Sequence, residues 1–231
     1  QHHQNNMGAL GGPDIITDGL IFAIDAGSER SYPGTGTTTT SLVGSNTGTL
    51  TNGVAFSTDN GGTWDFDGTD DYIAINNLGL SSHTIEGWIK SDNASQGGGS
   101  FGTIKSVIGN YDGGGSKYTY IGFIPTLTWR IDDGSISHAA VAGAGTVSVD
   151  TWYHVALTYN ASSGVTVGYL SGVQQGTINF TSNITFDSIP FNLCRSQAGV
   201  YFDGSVALSR CYNRALTAAE VLQNYNAQKN R

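Results

Sequence analysis

Three glutamates occur in the chain, Glu29, Glu86 and Glu220. Hydrolysis of a glycosidic bond needs two carboxyl groups flanking the bond, one to protonate the leaving oxygen and one to attack or to activate water. Here the glutamates lie far apart. Glu29 falls in a polar loop, and Glu86 stands alone on an alternating segment. Glu220 follows Thr217 at the spacing of a capping box, where its carboxylate serves a helix N-terminus. No segment alternates acids along one strand face. His83 and His154 have no nucleophile-elbow or reactive-cysteine signature beside them. The pattern argues against glycosidase and nucleophilic chemistry and leaves binding. Glu86 and Trp88 share one face of their segment, as Trp152 and His154 do of theirs. If the two segments are neighbours, they place indoles among polar groups, as a sugar platform requires. The competing reading is that this face packs under loops or against another subunit.

The stretch Asp65-Phe66-Asp67-Gly68-Thr69-Asp70-Asp71 begins like a calcium-binding helix-loop-helix hand. Its glycine is misplaced and no bidentate glutamate follows at the required distance. It reads as a hairpin with aspartates in turn roles.

The elements that must position these residues are short strands. In residues 84–90, Ile85 and Ile89 face one way while Glu86, Trp88 and Lys90 face the other. In residues 151–160, Tyr153, Val155, Leu157 and Tyr159 oppose Trp152, His154 and Ala156. Residues 165–170 and 173–178 flank Ser171-Gly172 as a hairpin. Further strands are expected over 19–25, 63–66, 72–75, 103–109, 118–124, 126–132, 136–141, 184–187, 191–195 and 201–212. Residues 26–53 form an excursion with little core signal, and 218–228 is the one helix. Many short strands with almost no helix predict an all-β, two-sheet antiparallel sandwich. Residues 1–18 are polar and lack periodicity, which predicts a flexible or partner-bound N-terminal arm ahead of one domain over 19–231.

Composition agrees. Only 12% of the residues are charged, about half the usual share, and the 33 glycines are about twice the usual number. A net charge of -8 with scattered basic residues excludes a nucleic-acid partner, which needs a basic face. No apolar run approaches the roughly 18 residues of a membrane-spanning helix, so no membrane insertion is expected. The two cysteines, Cys194 and Cys211, form one disulfide if neighbouring strands bring them together; otherwise they are two small buried thiols.

Six segments, in order, carry a resemblance. Gly19-Leu20-Ile21-Phe22-Ala23-Ile24-Asp25-Ala26-Gly27 resembles the opening strand of laminin-G-like, or concanavalin-A-like, lectin/glucanase domains. Phe66-Asp67-Gly68-Thr69-Asp70-Asp71-Tyr72-Ile73, His83-Thr84-Ile85-Glu86-Gly87-Trp88-Ile89-Lys90 and Thr151-Trp152-Tyr153-His154-Val155-Ala156-Leu157-Thr158-Tyr159 are similar to the blocks that follow. Tyr169-Leu170-Ser171-Gly172-Val173 and the stretch from Phe202 to Val221 complete the set. The resemblance implies a jelly-roll sandwich with a short C-terminal helix. It also implies calcium as a cofactor, at the end of the first strand and in the loop before the last, which nominates Asp25 and Asp203 with Asn46 as a helper. Residues 40–46 stand where the family often carries an aspartate, so one potential ligand is missing.

Ser31-Tyr32-Pro33-Gly34-Thr35-Gly36, Gly48-Thr49-Leu50-Thr51-Asn52-Gly53 and the ending Val221-Leu222-Gln223-Asn224-Tyr225-Asn226-Ala227 resemble the version common in structural proteins of tailed bacteriophages. This implies a non-enzymatic virion module, such as a capsid decoration, tail or fibre component. Its partners would be other virion proteins, copies of itself and cell-surface glycans. The alternative is a secreted, extracellular carbohydrate-binding module, calcium-dependent in its binding.

Overall fold

The computed structural model describes residues 13–93, 96, 103–111, 116–124, 126–134, 138–141, 147–186, 189–196 and 199–231. Its strands are β1 (Leu20–Asp25), β2 (Thr38–Thr40), β3 (Thr47–Thr51), β4 (Ala55–Ser57), β5 (Thr63–Asp67), β6 (Tyr72–Ile75), β7 (His83–Ser91) and β8 (Lys105–Gly109). They continue with β9 (Thr119–Ile124), β10 (Thr126–Asp132), β11 (His138–Val141), β12 (Trp152–Asn160), β13 (Val165–Leu170), β14 (Val173–Asn179), β15 (Phe191–Leu193) and β16 (Asp203–Tyr212). One helix, α1 (Ala218–Gln228), follows.

The strands form two eight-stranded antiparallel sheets. The first runs β14-β13-β12-β7-β16-β5-β4, with β1 also pairing β16, and the second runs β11-β10-β9-β8-β15-β6-β3-β2. Strand β16 is the spine of the first sheet. One edge pairs β7 over most of its length; on the other edge Asp203–Val206 pairs β5 and Leu208–Tyr212 pairs β1. The expected all-β sandwich with one C-terminal helix is what the chain forms.

Alternation decides what is buried. Ile85, Ile89, Val155, Leu157, Tyr159 and Val206 of the first sheet meet Ile73, Val107, Ile121, Phe123, Trp129 and Leu193 of the second. These are the inward positions of each strand, so the predicted faces of β7 and β12 are the core faces. The fit is close where Trp129 lies over β13. A Cβ added at Gly168 would sit 2.6 Å from the indole ring. The β13–β14 hairpin turns through Ser171 and Gly172, both with positive φ, as a two-residue turn of this hand demands.

Several expectations need correction. Residues 26–53 contain strands β2 and β3; three to five residues rich in Thr and Gly carry too little apolar alternation to be read. Of the expected strand 184–187, residue 187 lies outside the described residues and 184–186 are not a strand; the backbone N–H of Ile184 donates instead to the Tyr159 hydroxyl at 3.2 Å. The expected arm divides. Residues 1–12 lie outside the described residues, whereas the next stretch is tied down: Gln223 donates to the Asp14 carbonyl, Tyr212 to the Ile16 carbonyl, and the Ile16 N–H to the Asn224 side chain. Cys194 and Cys211 are free, buried thiols. They follow or occupy strands of opposite sheets, which stack about 10 Å apart, beyond the reach of a disulfide. Among the described residues, no helix is long and apolar enough to cross a membrane.

Replacing Gly168 with Ala should cost about 1–3 kcal/mol, because the methyl group overpacks against Trp129. Denaturant midpoints measure it, and an unchanged midpoint would mean that the indole is not seated on this glycine.

Candidate ligand-binding face

The four residues nominated as a platform do come together. In the β7–β12 ladder Trp88 faces His154 and Lys90 faces Trp152, so all four nominated side chains share the outer face of the first sheet. That face is covered. Helix α1 is started by the Thr217–Glu220 capping box and lies across it. Tyr225 stacks on Trp88 with ring centroids 5.8 Å apart and planes 18° apart. Glu86 and His154 are completely buried, and Trp88 is 5% exposed. Glu86, Trp88 and His154 therefore form a docking surface for the protein's own helix and are closed to a glycan, while Trp152 at their edge is half-buried.

Its chemistry is that of a buried charge with every oxygen served. Arg210 donates to Glu86 Oε1 at 2.8 Å, His154 Nε2 lies 3.3 Å from Oε2, and Asn224 of α1 donates to both oxygens at 3.1 and 3.2 Å. Arg210 also donates to Gln228 near the end of α1. Burial pushes the Glu86 pKa up, but the hydrogen bond and field of His154 and the guanidinium of Arg210 outweigh it and hold the carboxyl at about 2. The remaining glutamates are equally accounted for. Glu220 accepts two hydrogen bonds from Arg214, at 3.0 and 2.7 Å, besides capping α1. Glu29 is exposed in the β1–β2 loop, away from both.

The calcium set does not fit a cation. Both carboxylate oxygens of Asp25 are taken by Arg231, at 2.8 and 2.6 Å. Asp25 pairs with Leu208, whereas Asp203 lies opposite Asp67, so the two stand about 17 Å apart along β16. Asn46 precedes β3 in the other sheet. Among the described residues, the acids close enough to share a cation are Asp67, Asp70 and Asp71, within 4.8 Å of one another. Two of them serve their own turn: Asp67 accepts from the Thr69 N–H at 2.8 Å, and Asp71 from the Asp67 N–H at 3.3 Å.

The outer face of the second sheet is different. The ladders place Arg130, Tyr120, Gly109, Asn192, Ala74 and Thr49 in one row across it. Gly109 and Ala74 leave a low strip on either side of Asn192. At one end Tyr120 clusters with Tyr111 and Tyr118, with centroids 4.6–5.8 Å apart, and Arg130 lies 6.0 Å from the Tyr118 ring. At the other end Tyr72 and Tyr201 pack at 6.2 Å, with the Arg195 guanidinium 4.6 Å above the Tyr72 ring. Exposure rises along the row: Tyr120 is buried, Asn192 is 7% exposed, Ala74 and Tyr72 are half-buried, and Thr49 is exposed. The strip thus opens toward β6 and β3. Tyr111, Tyr118, Tyr120 and Arg130 are at most 3% exposed and lie out of a ligand's reach; at the open end the half-buried Tyr72, Tyr201 and Arg195 offer the aromatic faces and guanidinium that stack on and hydrogen-bond to a sugar. Tyr118-x-Tyr120 and Arg130-x-Asp132 were legible as alternating positions of expected strands. The approach of Tyr72, Tyr201 and Arg195 depends on tertiary pairing.

The profile of a family described as the concanavalin A-like lectin/glucanases superfamily matches residues 67–222. No curated protein matches. Among solved structures, domain 4 of AbnA, an extracellular GH43 arabinanase of Geobacillus stearothermophilus in complex with arabinotriose, superposes with a TM-score of 0.69 at 15% identity, covering 89% of this chain and 98% of that one. The binding domain of a paraclostridial mosquitocidal protein gives 0.68 at 19% identity, covering 90% of this chain and 52% of that one. Trypanosoma rangeli sialidase in complex with sialic acid gives 0.67 at 14% identity; 96% of this chain covers 36% of the sialidase. At these identities the likeness concerns the fold.

Glu86→Gln leaves Arg210 buried without its counter-charge and should cost about 3–5 kcal/mol. The native carboxyl titrates at about 2, below its ordinary 4.5. Its stabilisation is therefore present above about pH 4.5 and lost as the pH falls toward 2. Urea titrations from pH 7 to pH 2 should show a steep loss of stability in the native protein and a shallower one in Glu86→Gln. Equal slopes would place the carboxyl outside this network.

Proposed function

The chain belongs to the concanavalin A-like lectin/glucanases superfamily, and from that premise we propose that it is a non-enzymatic module that binds a glycan on the outer face of its second sheet. The observation that carries this reading is the open end of that face, where Tyr72, Tyr201 and Arg195 are half-buried beside the exposed Thr49, while α1 covers Glu86, Trp88 and His154 on the first sheet. The placement of the glutamates supports the non-enzymatic part of this reading. Glu86 and Glu220 are committed to structure, Glu29 stands apart, and the described residues hold no pair of glutamates across a cleft. The arabinanase domain in complex with arabinotriose supports a carbohydrate as the ligand class.

The setting we propose is a virion surface, as a capsid decoration, tail or fibre component contacting other virion proteins or copies of itself. The phage-like style of residues 25–53 and 221–227 supports it. An extracellular, secreted setting is the second reading, favoured by the extracellular arabinanase among the similar structures. Co-purification with a particle separates the two.

A glycan array should give a defined set of ligands without hydrolysis. Tyr72→Ala and Arg195→Ala should each weaken binding by about tenfold or more while leaving the fold intact. Trp88→Ala should lower stability, because that indole lies under α1. A silent array, or binding indifferent to Tyr72 and Arg195, removes this face from consideration.

A further inference from the structure

A pocket lies beside Glu29, in the loop that follows β1. The β1–β2 loop and the segment after β4 enclose this pocket of about 310 Å³, lined by Glu29, Tyr32, Phe56, Thr58 and glycine backbone. It is a built feature. Any side chain at Gly27 would run into the Gly61 carbonyl, and one at Gly62 into the Gly27 backbone, so two backbones meet directly to form one wall. Tyr32 and Phe56 form the aromatic part, with centroids 5.5 Å apart and planes at 57°, and Tyr32 is backed by the edge of the fully buried Trp64.

We propose that this pocket binds a quaternary ammonium group, such as the headgroup of choline. Phe56 is half-buried and Tyr32 only 4% exposed, so a cation in the pocket meets the aromatic pair chiefly at Phe56, and its attraction to the ring strengthens as water is excluded. Glu29, exposed at the rim, is the one charged residue in the lining, and among the described residues its carboxylate has neither a hydrogen-bond nor an ion-pair partner. The neighbouring cation, Arg231, is neutralised by Asp25. The Tyr32 hydroxyl is already spent on the Gly36 carbonyl at 2.9 Å. A primary ammonium has three N–H donors to satisfy, whereas a methylated ammonium has none and needs only the ring and the carboxylate. The volume lies at the lower end of the range of about 300–1,000 Å³ for ligand pockets, which suits a headgroup better than an oligosaccharide. The inference is independent of the glycan face, since no lining residue belongs to it.

The test is a titration of the full chain with choline, with its neutral isostere 3,3-dimethylbutanol, and with lysine, followed by amide chemical shifts of Gly27, Gly34 and Gly62. Choline should shift these resonances saturably, and the isostere should bind at least about fivefold more weakly, since only the charge differs. Glu29→Gln and Phe56→Leu should each weaken choline binding by a similar factor, with otherwise unchanged spectra reporting an intact fold. Equal affinity for the isostere, stronger binding of lysine, shifts unaffected by both substitutions, or no saturable shift would each overturn the proposal.

Discussion

A carboxylate with no access to water governs the arrangement of this domain. Glu86 sits in the middle of the first sheet, and its ionised form persists because Arg210, His154 and Asn224 supply donors to both oxygens. Two of those partners come from neighbouring strands and the third from α1. The charge can therefore be buried only when the helix is in place. Once docked, the helix brings Val221 and Tyr225 onto Ala156, Trp88 and Leu208, and it gives the backbone of Ile16 a partner. A polar anchor and an apolar cover reinforce each other. The anchor fixes where the helix lies, and the cover keeps the anchor dry.

That arrangement decides which surfaces remain for binding. Two sheets have two outer faces, and the helix takes the middle of one. The other keeps its tyrosines, its arginines and a strip of small residues, grading from closed at β9 and β10 to open at β6 and β3. The C-terminal helix thus sets how much of the first sheet's outer face solvent can reach.

Much of the fold was readable from alternation. The inward faces of β7 and β12, the Ser171-Gly172 turn and the Thr217–Glu220 cap are local patterns, and local patterns appear as such in the chain. The site was less readable. Glu86, Trp88, Trp152 and His154 could be assigned to one face, but nothing local says that α1 returns to cover it. The partner of Asp25 is Arg231, at the far end of the sequence, so a free carboxylate and an occupied one look alike on paper. Tyr72, Arg195 and Tyr201 meet only because β6 pairs with β15. Short polar strands such as β2 and β3 are invisible for a different reason: they are held by ladder hydrogen bonds on an edge, and they bury little that alternates.

Strand β16 has one consequence for how the protein is made. Its free edge is shared by β5 and β1, so the residues of β1 have no ladder partner until nearly all of the described chain exists. At about 5–20 residues per second, synthesis keeps Phe22 and Ile24 waiting on the order of ten to forty seconds before their neighbours emerge. Closure of the sandwich is thus a late event joining distant parts of the chain, in the class of topologies that fold slowly. Through that interval an apolar strand edge is open to any other chain that offers one.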